Sequence, residues 1–197
     1  EVKEYFYERL KERLPGSDIT VGKLAITIKF SSGFEVQIVP AVKNDKGVQI
    51  PSIMNSNEWS KTINPERFIN DLREANSKNS GKLVPVIKLA KSIISSFPEQ
   101  RQMKGYHVEA LSVEVFSKYS GEITPRAMLK HLFSEGSKLV LTAIKDKTGQ
   151  TTHVDGYLGS DNSIERKMVS DSMRTMARKM QNADGSNDIR VWEEILK

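Results

Sequence analysis

Cysteine is missing from all 197 residues, which excludes disulfides, thiolate zinc sites and a cysteine nucleophile. Histidine is scarce: His107, His131 and His153 are the only imidazoles, and their wide separation lacks metal-ligand spacing, so zinc is not expected. No apolar run approaches the roughly 20 residues that cross a bilayer, and the charged start Glu1-Val2-Lys3-Glu4 does not resemble a signal peptide. The cytoplasm is therefore the expected compartment, with no membrane partner. Internal repeats and low-complexity segments are also missing.

What is present suits a soluble protein. Apolar residues make up 38% and charged residues 28%, enough for one real core or two small ones. Thirty basic residues against 25 acidic ones leave a net charge of +5, which suits an anionic partner but describes a mixed surface rather than a nucleic-acid tail. Glu1 is not methionine, and Val2, Phe6, Leu10 and Leu14 already form a helical stripe, so we expect further sequence upstream.

Pro15 and Gly16 end that first helix. Residues 19–30 and 33–42 then alternate apolar and polar around Ser31, Ser32 and Gly33, which predicts a β-hairpin whose second strand runs from Phe34 to Val39. After a loop at 43–63 the pattern becomes helical. Asn64 and Pro65 open a helix with Phe68, Ile69 and Leu72 inward; another begins near Val84 and Pro85; a third covers about Tyr106 to Tyr119. Thr124-Pro125 starts a helix expected to break at Gly136, and Asp146 to Gly159 reads as a polar loop. Asn162 with Glu165 looks like a capping box for a long helix whose apolar stripe is Ile164, Met168, Val169, Met173, Met176 and Met180. Trp192, Ile195 and Leu196 suggest a short closing helix. The expected class is α+β, with strands of a core at 1–55 and a mainly helical lobe at 56–197.

On the second strand of the hairpin, Glu35 and Gln37 share one face while Val36, Ile38 and Val39 supply apolar packing. Pattern alone reads this equally well as a strand with one solvated face. The segment Phe34-Glu35-Val36-Gln37-Ile38-Val39-Pro40-Ala41, however, resembles the strand that carries the third catalytic aspartate in cyclic-oligonucleotide synthases, the polymerase-β-like nucleotidyltransferases of bacterial anti-phage signalling. In that family the aspartate precedes the proline by three residues, and the matching position is Gln37. A carboxylate there serves two-metal phosphoryl transfer, because Mg²⁺ prefers anionic oxygen ligands. Glutamine offers a carbonyl oxygen without the charge, and its NH₂ must face away from a metal. Glu35, on the same face, is a possible compensating carboxylate. The family's Gly-Ser and Asp-x-Asp motifs lie upstream of this strand and have no match before Gln37, where Asp18 stands alone, so these residues by themselves are not expected to be active.

The resemblance continues from about residue 19 to the end of the chain. Trp59 to Phe68 is similar to the family's linker into its helical lobe, and Val86-Ile87-Lys88-Leu89-Ala90-Lys91 to the helix whose last lysine contacts the triphosphate, which implies that role for Lys91. Gly105-Tyr106-His107-Val108-Glu109 resembles the family's Ser-Tyr-His segment, so Tyr106 is the implied base-stacking residue. Gly105 stands where the family has a phosphate-binding serine, and it offers only a backbone N–H. His107 receives no catalytic role. Arg166, Lys167, Arg174, Arg178 and Lys179 read as a basic outer side of the long helix that could meet an anionic partner, though such a run is commonly just a solvated face.

The resemblance implies synthesis of cyclic di- or oligonucleotides from nucleoside triphosphates with Mg²⁺, whose product activates an effector. Two other readings stand beside it. One is a degenerate relative that binds nucleotide or RNA without turnover, which Gln37 favours; the other is an unrelated helical interaction module.

Overall fold

The computed structural model describes residues 2–52, 58–186 and 189–196, which form five short strands and seven α-helices in an α+β arrangement. They divide into two compact units: Glu1–Glu66 with Thr148–Gln150, and Arg67–Lys147 with Thr151–Lys197. The boundary expected near residue 55 lies outside the described residues.

In the first unit, α1 (Val2–Arg13) stops before the Pro15-Gly16 pair, as a proline in an interior turn would remove a backbone donor. Its inner side differs from the expected stripe. Tyr7, Leu10 and Leu14 pack on the sheet, while Val2 and Phe6 are each 41% exposed. Three antiparallel strands follow in the order β1 (Asp18–Val21), β2 (Ile26–Lys29), β3 (Glu35–Ile38). The single strand expected over 19–30 is therefore two, because the chain turns where the Gly22 N–H meets the Ala25 carbonyl at 2.8 Å. The β2–β3 hairpin turns at Gly33, whose φ of 83° suits a residue without Cβ.

Register pairs Ile19 with Ile28 and Ile28 with Val36, so one face carries the small core of Ile19, Ile26 and Ile28. The opposite face aligns Thr20, Thr27 and Gln37 in one row and Asp18, Lys29 and Glu35 in the next. A second hairpin joins β4 (Val42–Asn44) to β5 (Gly47–Gln49). Gly47 has a φ of 149°, and a Cβ there would lie 2.2 Å from the Ile63 carbonyl oxygen, so only glycine fits.

The second unit is helical, with α2 (Pro65–Lys78) from Arg67 onward, α3 (Leu83–Ser95), α4 (Gly105–Val115), α5 (Pro125–Leu139), α6 (Ile164–Ser186) and α7 (Ile189–Leu196). Leu83, Leu111, Leu132, Phe133, Met173 and Met180 lie at its centre, each 1% exposed or less. Ile69, expected inward on α2, is instead 45% exposed, beside buried Phe68.

Thr124 caps α5 by accepting from the Ala127 N–H, but the helix does not break at Gly136. Gly136 is buried in mid-helix, where a Cβ would come within 2.7 Å of Met173 Cε on α6. The glycine serves close helix packing rather than termination. On α6 the cap is Ser163, whose Oγ accepts from the Arg166 N–H at 3.2 Å, while Asn162 adopts a left-handed φ of 58°. Ile164 then lies 72% exposed, off the apolar stripe.

Candidate functional site

The segment before α4 is extended at Lys104, and the helix begins at Gly105 with no side chain capping its first turn. Lys91, near the end of α3, reaches this turn. Its ammonium pairs with the carboxylate of Glu109, and a Cβ on Gly105 would lie 3.4 Å from Lys91 Nζ and 3.6 Å from Cε. Thus the ammonium, the start of α4 and one acidic side chain share a single patch. Both charged side chains are about one third exposed, at 34% for Lys91 and 28% for Glu109.

Tyr106, the next residue, is half-buried. Its hydroxyl donates to Asp146 Oδ1 at 3.2 Å, and its ring meets Phe68 edge-on at a centroid distance of 4.8 Å. Asp146 is itself buried and well held, with Oδ2 accepting from the Thr151 N–H at 2.9 Å and the Thr151 hydroxyl at 2.8 Å. The ring of Tyr106 therefore has one fixed orientation. Lys91, inferred from one short motif, lies beside Gly105, inferred with its neighbour Tyr106 from another.

Behind them runs a buried polar chain that the sequence did not announce. The Lys104 N–H donates to the Tyr157 hydroxyl at 3.0 Å, and that hydroxyl lies 2.9 Å from His107 Nδ1. The consistent tautomer has Tyr157 donating to Nδ1 and the ring proton on Nε2. Nε2 is fully buried without a hydrogen-bond partner among the described residues, 3.6 Å from Asp155 Oδ2. Burial pushes His107 down to about 4, helped by the Arg166 charge and opposed by Asp155, so the imidazole is neutral near pH 7.

Asp155 meets Arg166 Nη1 at 2.8 Å and accepts from the Ile144 N–H at 3.2 Å. Burial raises its carboxyl, but the Arg166 hydrogen bond and the neighbouring charges outweigh that and hold it below its ordinary range. Arg166 also donates to the carbonyls of Val140, Thr142, Gly159 and Ser160. These bonds satisfy a guanidinium that is 0% exposed, so the placement of Arg166 on a basic outer side is corrected. Asp155 and Arg166 lie on either side of the Gly156–Leu158 turn, and no helical or strand period reports such a pairing. Arg174, 3.4 Å from Asp171, remains on that outer side with Lys167, Arg178 and Lys179.

Gln37 belongs to the first unit, exposed on β3. Its Nε2 faces Glu35 Oε1 at 3.5 Å, a long contact between neighbours on the same face. Among the described residues no three His, Cys, Asp or Glu side chains gather as a metal site would require. One neutral amide and one carboxylate do not make a Mg²⁺ site, so the residues described do not fit that ion. Among the described residues, no helix is long and apolar enough to cross a membrane.

No protein-family profile and no curated protein matches the sequence. Solved structures do. Escherichia coli MS115-1 CdnC with ATP superposes with a TM-score of 0.76 at 13% identity, over 99% of this chain and 71% of CdnC. E. coli DncV in its 3'-deoxy GTP-bound form gives 0.76 at 11% identity, over 98% of this chain and 54% of DncV. Vibrio cholerae DncV cyclic AMP-GMP synthase, in complex with the linear intermediate pppA(3',5')pG, gives 0.70 at 9% identity, over 88% of this chain and 49% of that one. The chain thus has the fold found in CdnC and DncV and spans about half the length of DncV.

Proposed function

We propose that the protein containing these residues joins nucleoside triphosphates into cyclic di- or oligonucleotide second messengers, used in anti-phage defence to activate an effector. The observation that carries this reading is the approach of Lys91 to Gly105 at the start of α4, with Tyr106 next in the chain, within a fold shared with CdnC and DncV. In nucleotidyl transfer the enzyme mainly positions its reactants and offsets charge. The Lys91 ammonium suits a polyphosphate as a mobile point charge. The first turn of α4 carries no side-chain cap, and the positive end of a helix dipole favours an anion at such a start. Tyr106, held by Asp146 and Phe68, offers a ring of fixed orientation for the base.

The Mg²⁺ chemistry implied for this reaction would need carboxylates beyond Glu35. Lys91, Gly105 and Tyr106 serve nucleotide binding, and none of them takes part in holding a metal.

Titration calorimetry of the full-length protein with ATP and GTP tests the reading. Tyr106→Ala should weaken binding about fivefold or more, since base stacking on an aromatic is worth roughly 1–3 kcal/mol. Equal affinity in the variant removes the stacking role. Incubation with the four nucleoside triphosphates and Mg²⁺, followed by mass spectrometry, should detect a cyclic product. Tight nucleotide binding without any product would instead identify a binding protein that has lost turnover.

A further inference from the structure

We infer that Glu109 is an internal competitor for Lys91, setting how tightly the site holds polyphosphate and easing the departure of pyrophosphate. This rests on the nucleotide-binding reading above. Glu109 lies on α4 one turn after Gly105, and its carboxylate pairs with the same ammonium that borders the start of the helix. A phosphate reaching Lys91 meets a cation already neutralised. It must displace the carboxylate or share the ammonium with it, which carries three donors but a single charge. Displacement breaks an ion pair and sharing sets two anions side by side, so both routes oppose polyphosphate binding.

The pair is about one third exposed on each side, so water can take over the carboxylate when it swings away. Competition of this kind is reversible and costs little. It also works in the direction of product release. When the hydroxyl oxygen of one nucleotide bonds to the α-phosphorus of another, the bond to the bridging oxygen breaks and pyrophosphate leaves with that oxygen. The hydroxyl proton passes to solvent or a base. Pyrophosphate then remains at Lys91, and the returning Glu109 carboxylate takes its place.

The test measures ATP, inorganic tripolyphosphate and pyrophosphate binding to the full-length protein by titration calorimetry. Glu109→Gln keeps the side-chain size and removes the charge. It should tighten all three ligands about fivefold, the scale of a partly exposed ion pair. Lys91→Ala should weaken them, and adding Glu109→Gln to Lys91→Ala should then change nothing, because the competitor has lost its target. A merely structural link between α3 and α4 would couple the two positions as well, but its loss in Glu109→Gln would weaken binding or leave it equal, never tighten it.

If Lys91→Ala weakens binding but Glu109→Gln leaves it equal or weaker, the competitor role fails while the nucleotide reading stands. Tightening that persists in the Lys91→Ala background likewise overturns the competitor role. If Lys91→Ala leaves ATP affinity unchanged, or neither wild type nor Glu109→Gln binds, the nucleotide reading at Lys91 fails with it.

Discussion

At the scale of single residues, Gln37 and Gly105 are the two positions where chemistry departs most from the synthase pattern. Gln37 is exposed on β3 beside Glu35 and supports no core contact, so its amide is replaceable without disturbing the sheet. Gln37→Asp in the full-length protein should raise Mg²⁺ affinity in titration calorimetry and increase Mg²⁺-dependent product formation, because a second carboxylate beside Glu35 supplies the anionic oxygen that a hard cation prefers. Unchanged Mg²⁺ affinity would place Gln37 away from any metal. At Gly105 a Cβ would meet Lys91 only at ordinary contact distance, so the approach of the ammonium to the first turn of α4 does not itself require glycine.

At the scale of elements, the helices are organised by a few close approaches rather than by propensity. Gly136 lies in mid-α5 against Met173 and Leu111, where a Cβ would fall 2.7 Å from Met173 Cε and 3.3 Å from Leu111 Cδ2. The end of a methionine side chain can yield to one methyl group, but the branched Gly136→Val adds two more beside Leu111. That variant should destabilise the protein by about 1–3 kcal/mol in chemical denaturation, the usual range for overpacking. An unchanged midpoint would mean that α5 and α6 separate easily. The same rule explains why a glycine read from sequence as a helix stop became a packing position.

At the scale of the whole molecule, the polar chain through Tyr157, His107, Asp155 and Arg166 ties acid stability to the start of α4. Native His107 titrates near 4 against an ordinary value of 6.5, so between these limits the unfolded chain takes up a proton that the native one does not. Stability should therefore be insensitive to this group above about pH 6.5 and fall as the pH drops toward about 4. Asp155, whose carboxyl is held low, adds a further loss at still lower pH, where its pairing with Arg166 ends. Thermal melts between about pH 7 and about pH 5 should show a falling Tm. His107→Gln, whatever its effect on Tm at neutral pH, should flatten that dependence, and an equally steep fall in the variant would assign the effect elsewhere.

Local signals in the sequence determined much of this protein: the α+β class, the start of α2 at Pro65, the Thr124 cap of α5 and the methionine stripe of α6. These depend on neighbours within one or two turns or on short motifs, which a linear reading can see. Only tertiary structure decided that Ser163 rather than Asn162 caps α6, that Tyr7 rather than Phe6 faces the sheet, and that Arg166 is interior. It also brought Glu109 to Lys91, Asp146 to Tyr106 and Asp155 to Arg166. A charged or polar side chain carries the same letter whether water or a buried partner satisfies it. Which one does so depends on where folding places residues distant in the chain.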